Sequence, residues 1–249
     1  MTAHTPRLFT NHRLDIGHKV TLSDKTANHI QHVLRSKPGD HLILFNGEGG
    51  EYVSNIVTSS RNKIEVEVVR FDPVSRESKL NILLGIGILK REAMKTALQK
   101  ATELGATAIV PVETRNTSVT RAQFDKRRET WLQVIQSAGE QSGRTLLPTL
   151  YEAHKFDQWI KLAKGDLKLL TSPGADGGLN LIDQVPQSVC LMIGPEGGIT
   201  LDEEQIALDA GFVLVSLGNR ILRAETVPTA LLSLLQYRWG DFQGEQSVY

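Results

Sequence analysis

Two short segments carry residue types able to hold a small, flat ligand. In the first, Ile193, Gly194, Pro195, Glu196, Gly197 and Gly198 directly follow an apolar run and lead into Ile199 and Thr200. Glycines after a proline and a glutamate let backbone come close to a planar group and offer N–H and C=O groups to its edge, as an adenine requires. Thr200 and Glu203 have the spacing of a capping box that opens a helix. The second segment runs from Leu217 and Gly218 through Ile221, Leu222 and Arg223 to Thr226. Ile221 and Leu222 are apolar residues among charged ones and are expected to pack rather than face water. They fit either the core, with Arg223 paired to Glu225, or an apolar wall for a bound cofactor. A third turn, Thr171 to Gly174 after Leu170, has little signal of its own. None of these is a phosphate loop ending in Gly-Lys-Ser/Thr or a dinucleotide fingerprint Gly-x-Gly-x-x-Gly, which disfavours a dinucleotide-dependent oxidoreductase.

Metal chemistry finds little support. His4, His12, His18, His29, His32 and His41 all fall in the first part of the chain, but only His29 and His32 have ligand-like spacing, and no cysteine or carboxylate set accompanies them. Packing on a helix or contact with phosphate suits them better. Cys190 is the only cysteine, so no intrachain disulfide forms, and a reducing cytoplasm is the expected address.

The candidate loops need strands to carry them. Residues up to about 70 read as short strands at 18–22, 41–45, 52–58 and 63–69, with Ile64, Val66 and Val68 alternating against Glu65 and Glu67. Turns fall at 38–40 and 46–50. One helix, with Ser23 as N-cap and Ala27, Ile30, Val33 and Leu34 on one stripe, covers what reads as a small β-barrel. The polar segment 71–79 places a boundary between residues 1–72 and 73–249. Beyond it strands alternate with helices. Apolar runs at 80–88, 106–110, 167–170, 189–193 and 212–217 predict buried strands, and helices are expected at 91–104, 123–141, 156–163, 201–210 and 226–237. Such alternation means an α/β domain with a mostly parallel sheet, whose ligands bind where loops leave the carboxyl ends of strands.

With 249 residues, 40% hydrophobic and 22% charged, the chain has the composition of an ordinary globular protein. No apolar run reaches membrane-spanning length, and no secretory leader is expected at the N-terminus. The formal net charge is zero, so a polyanion would have to be met by a local cluster of cations rather than by bulk charge.

The segments at 193–198 and 217–226 resemble the signature of the knotted SPOUT methyltransferases. More narrowly, the chain resembles the 16S ribosomal RNA uracil-N3 methyltransferases, the RsmE family, from end to end. The similarity is carried by residues 28–35 (NHIQHVLR) with Pro38-Gly39-Asp40, by 99–105 (QKATELG), by 140–144 (EQSGR) with Pro148, by the two loops, and by 235–241 (LQYRWGD). Asn219 stands where members often carry proline.

The resemblance implies a PUA-like barrel that grips RNA and a SPOUT domain with a trefoil knot. It implies two chains pairing as a homodimer, S-adenosylmethionine as cofactor, no metal and no membrane, and 16S rRNA or the small ribosomal subunit as partner. Cofactor contacts are then expected at Leu170, Thr171, Ile193, Gly194, Pro195, Glu196, Gly197, Gly198, Leu217, Gly218, Ile221, Leu222, Arg223 and Thr226. Methylation at N3 of uridine passes through loss of the imide proton, so Arg144 and Arg223 are candidates for stabilising the anion or holding an adjacent phosphate. The alternative for each is an arginine that bridges structural elements. RNA contacts are expected at Arg7, Arg35, Lys90, Arg91, Lys95, Arg115 and Arg121, within a basic stretch that continues through Lys126, Arg127 and Arg128. Another SPOUT activity, ribose 2′-O-methylation, and an RNA-binding module without catalysis are the competing functions.

Overall fold

A computed structural model describes residues 5–22, 30, 37–60 and 63–244. Ser23, Ala27, His29, His32, Val33, Leu34 and Arg35, on which the expected first helix rests, lie outside the described residues, as does His4. The chain divides into two compact units. Residues 1–77 and 139–147 form the first, and 78–138 with 148–249 form the second.

In the first unit, β1 (Arg7–Phe9), β2 (Lys19–Leu22), β3 (His41–Phe45), β4 (Glu51–Ser60) and β5 (Lys63–Asp72) form one curled sheet in the order β1-β3-β4-β5-β2. Only β1 and β3 pair in parallel; the other ladders are antiparallel. Register shifts between β4 and β5 at Val53/Ser54 and Ile56/Thr58 mark irregularities of the kind that bend a strand and increase twist. The alternation expected in β5 is present: Ile64, Val66 and Val68 are fully buried in a core with Leu8, Leu42, Leu44 and Ile56. The strand β1 has no counterpart among the expected elements, because three residues give too little alternation to recognise.

A polar cluster ties this unit together. Arg7 donates to Glu51 at 2.9 Å and also to the backbone carbonyls of Glu140 and Arg144. Arg76 donates to the same Glu51 carboxylate at 3.0 Å. Arg144 is 5% exposed and pairs with Glu77 at 2.7 Å, and the other oxygen of Glu77 accepts the N–H groups of Thr145 and Leu146. Burial works to raise the Glu51 pKa, but hydrogen bonds and charge attraction from Arg76 and Arg7 outweigh it and hold the carboxyl below its ordinary value.

The second unit is a parallel sheet with helices. Its strands are β6 (Asn81–Gly87), β7 (Ala108–Glu113), β8 (Thr149–Leu150), β9 (His154–Lys155), β10 (Leu167–Thr171), β11 (Ser188–Ile193) and β12 (Val213–Val215). The order is β12-β10-β11-β6-β7-β8, with β9 also on β7, and each of these pairings is parallel. The two-residue strands β8 and β9 are too short to show a pattern in the sequence. Helices α1 (Arg91–Glu103), α2 (Arg121–Asp125), α3 (Arg128–Ser142), α4 (Phe156–Leu162), α5 (Leu201–Asp209) and α6 (Thr226–Trp239) alternate with the strands. Helix α1 stops at Leu104, followed by Gly105 at φ +81°, as its sequence suggests.

The single helix expected over 123–141 is instead two. Thr120 and Gln123 make a capping box that starts α2 two residues early. The carbonyl of Phe124 accepts the N–H of Arg127 at 2.9 Å and the indole N–H of Trp131 at 3.2 Å, which tightens the chain at Lys126 and Arg127. Phe124 and Trp131 stack across that break.

Because the folded state holds Glu51 ionised, its stabilisation is complete above the ordinary carboxylate value of 4.5 and is lost as pH falls through the lower folded value. Glu51→Gln should cost about 3 kcal/mol near neutrality by urea unfolding, because it leaves two arginines short of a buried counter-charge. The gap between wild type and variant should close as the pH is lowered below 4.5.

Candidate functional site

The chemistry expected of the second unit collects at one edge of its sheet. β10, β11 and β12 are neighbours and parallel, with Thr171 opposite Val215 and Leu170 opposite Met192, so the turns that follow them leave the sheet on the same side. Ile193 lies opposite Ile86, and Gly87 opposite Val112, which adds the loops after β6 and β7 to that edge. This is where a parallel sheet binds ligands.

The turn at 194–198 is clamped from beneath and from one side. A Cβ on Gly87 would lie 2.4 Å from the nitrogen of Pro195 and 2.6 Å from its Cδ, so the turn sits on bare backbone. Glu196 accepts the N–H of Lys90 at 3.0 Å. The side-chain amide of Asn116 donates to the carbonyl of Gly197 at 2.9 Å, and a Cβ on Gly197 would meet Asn116 at the same distance. The capping box expected from Thr200 and Glu203 is formed at the start of α5. Glu203 is 2% exposed and does more than cap: its carboxylate accepts the N–H and hydroxyl of Thr200 and the N–H of Arg115 at 2.9 Å. The guanidinium of Arg115 pairs with Asp202, next along the same helix, and this raises the Arg115 pKa.

The segment after β12 opens into a cleft of about 540 Å³. Leu217, Gly218, Arg220 and Leu222 form one side, and Ala230 and Leu234 of α6 contribute apolar surface. The opposite wall is Asp176, Gly177, Gly178, Leu179 and Asn180. This wall has no recognisable signal in the sequence. It is tied to β12 by Ser216, whose N–H donates to the Gly177 carbonyl at 2.9 Å. Among the expected cofactor residues, Leu217, Gly218 and Leu222 line the cleft, whereas the turn at 194–198 leaves the same sheet edge without lining it. The cleft lies between the 217–222 loop and the 176–180 segment.

Comparison with known proteins places this arrangement. Residues 76–236 match the family described as an RNA methyltransferase domain, and residues 22–69 match the RNA methyltransferase PUA domain. The ribosomal RNA small subunit methyltransferase E of Buchnera aphidicola from Schizaphis graminum is 32% identical over 244 residues, which are 97% of this chain and 99% of that protein. The chain belongs to the ribosomal RNA small subunit methyltransferase E family. The Bacillus subtilis member is 27% identical over 248 residues, 95% of this chain and 97% of that one. The crystal structure of the Neisseria gonorrhoeae member, bound to S-adenosyl methionine, matches with a TM-score of 0.90 at 36% identity, covering 96% of this chain and all of that chain.

Within this methyltransferase, the remaining expected site residues take different places. Thr171 is half-buried, with its hydroxyl 3.4 Å from the Met192 carbonyl, and Leu170 and Ile193 are buried in their strands. Ile221 is 87% exposed, where the sequence suggests an apolar residue that packs. Arg223 is exposed, with its guanidinium 4.0 Å from Glu225. Thr226 opens α6. Lys90, Arg91 and Lys95 are exposed at the start of α1. Arg121 is held by Glu113 at 3.1 Å, and Arg128 donates to the carbonyls of Leu150 and Tyr151. Arg7 pairs with Glu51 and Arg144 with Glu77, both within the first unit. Arg35 lies outside the described residues. Cys190 is fully buried in β11, and burial pushes its thiol up to about 12, far from a nucleophile's range. Among the described residues, no group of three or more His, Cys, Asp or Glu is placed to hold a metal ion, and no helix is long and apolar enough to cross a membrane.

Asn116 and Glu203 are the positions whose part in the site the sequence leaves unstated; Glu203 announces itself only as a cap. The seat beneath the turn makes a direct test. Gly87→Ala must push Pro195 away, and should cost about 1–3 kcal/mol in denaturant unfolding, the range for overpacking a tight contact. A variant as stable as wild type would show that the turn is not seated there.

Proposed function

We propose that this chain binds S-adenosylmethionine in the cleft beside Leu217, Gly218 and Leu222 and methylates N3 of one uridine in 16S ribosomal RNA. The cleft at the carboxyl edge of the sheet supports the first part. Its apolar side, from Leu217, Leu222, Ala230 and Leu234, suits an adenine and a thioether chain, and Asp176 and Asn180 offer polar partners for hydroxyl or ammonium groups. Bound there, the cofactor supplies a methyl group on a sulfonium, open to in-line attack.

The residues of the chain have to align two ligands and favour the uridine anion. N3 would release its imide proton to solvent water and form a bond to the methyl carbon that the cofactor would supply, the electron pair of the broken carbon–sulfur bond staying on sulfur. Arg223 is the candidate to stabilise that anion or the neighbouring phosphate, since its guanidinium is exposed beside the cleft segment and only loosely paired with Glu225. Arg144 serves in this scheme as a brace, its guanidinium being occupied by Glu77.

RNA is gripped by the exposed Lys90, Arg91 and Lys95, assisted by Arg115 and Arg121, with the PUA-like first unit as a second handle. Arg7 is 7% exposed in its side chain and bound to Glu51, so its contribution is to the fold of that unit. A trefoil threading of the domain at 73–249, pairing of two chains and a cytoplasmic address belong to the same proposal.

In cells lacking the protein, one uridine of 16S rRNA should lose its methyl group. N3 lies on the base-pairing edge, so the modified base arrests reverse transcriptase, and one stop should vanish from primer extension and return on complementation. Persistence of every such stop in the deletion strain would exclude the target. For the RNA grip, replacing Lys90, Arg91 and Lys95 together by Glu should weaken rRNA binding and flatten the dependence of log K on log salt by about one for each phosphate no longer neutralised. An unchanged salt slope would remove these three from the interface.

A further inference from the structure

The wall at 176–180 raises a mechanical question, because it has no core of its own. The 3-10 turn Leu179–Leu181 contains no buried residue, and Leu181 is 67% and Val185 79% exposed. Packing therefore does not fix the wall, and polar tethers must. One tether is Ser216, bonded to the Gly177 carbonyl at the wall's near end. The other comes from Arg238 in the last turn of α6, which donates from its two terminal nitrogens to the carbonyls of Leu179 and Ile182. These are charge-assisted bonds from a planar fork, and they bracket the far end of the turn. The Arg238 guanidinium also lies over the Trp239 ring, 4.8 Å from its centroid, which limits its orientation.

We propose that Arg238 is a positioning residue for the methyl-donor cleft: by fastening Leu179 and Ile182 to the C-terminal helix it holds the wall against which the cofactor binds. This rests on the cleft being the S-adenosylmethionine site, as proposed above. Arg238 does not line the cleft and touches no ligand in this scheme. Its effect passes through the backbone of residues 179–182, so it should act on cofactor affinity and not on the chemical step.

The test is calorimetric titration of the full chain with S-adenosylmethionine, beside hydrogen exchange at the amides of Leu181 and Ile182, which bond to the carbonyls of Gly178 and Leu179. Arg238→Met keeps the aliphatic stem and removes both donors; Arg238→Lys keeps the charge but not the fork. The Met variant should bind the cofactor about tenfold more weakly, the scale for removing bonds of this kind. Its two reporter amides should exchange faster, and in steady-state assays KM for the cofactor should rise with kcat little changed. The Lys variant should recover part of the loss and serves as the readout if Met prevents folding. Wild-type affinity in both variants, or unchanged exchange at Leu181 and Ile182, overturns the proposal. Failure of the wild-type chain itself to bind would instead overturn the assignment of the cleft.

Discussion

A carboxylate with almost no exposure to water, that of Glu203, holds the loops at the ligand edge in register. It accepts from the N–H and hydroxyl of Thr200 and from the N–H of Arg115, and with the Arg115–Asp202 pair it fixes the start of α5 to the loop after β7. A buried carboxylate is costly unless its lone pairs are occupied, and here three donors occupy them. The turn at 194–198 is consequently bounded on several sides: Gly87 beneath, Asn116 and Lys90 beside, and α5 beyond. Asn116 belongs to the loop that Glu203 anchors, so that acid steadies one side of the glycine turn.

The first unit solves a similar problem with charge in place of close approach. Glu51 and Glu77 each serve several donors drawn from distant parts of the chain, including the 139–147 segment. The brief return of the chain to this unit brings Arg144, from the middle of the sequence, onto Glu77.

Much of this is legible in the residues. The core strands announce themselves by apolar runs, α5 by its capping box, and α1 by Gly105, because these features depend on residues near one another in sequence. The glycine turn and the Leu217 loop are recognisable as turns that leave buried strands for the same reason. What escapes are features made by backbone groups, which every residue carries alike. The wall at 176–180 is held through carbonyls of Gly177, Leu179 and Ile182, and no residue type there reports that they are used. The break between α2 and α3 depends on the Phe124 carbonyl meeting an indole seven residues on. β8 and β9, two residues each, exist only because β7 offers them an edge. The ion pairs of Arg7 and Arg144 escape as well, because Glu51 and Glu77 lie far away in sequence.

The pairing of β6 with β11 has a consequence for how the chain comes to be folded. These two strands stand side by side in the middle of the sheet, Asn81 against Ser188, with the whole of β7 to β10 intervening in the chain. Ring closure over such a stretch is paid in entropy before any contact rewards it, so the sheet assembles late and slowly compared with a fold of local hairpins. During synthesis on the ribosome, one hydrogen-bonding edge of β6 stays unpaired until β11 has emerged, and such an open edge invites capture by a chaperone, or aggregation in its absence.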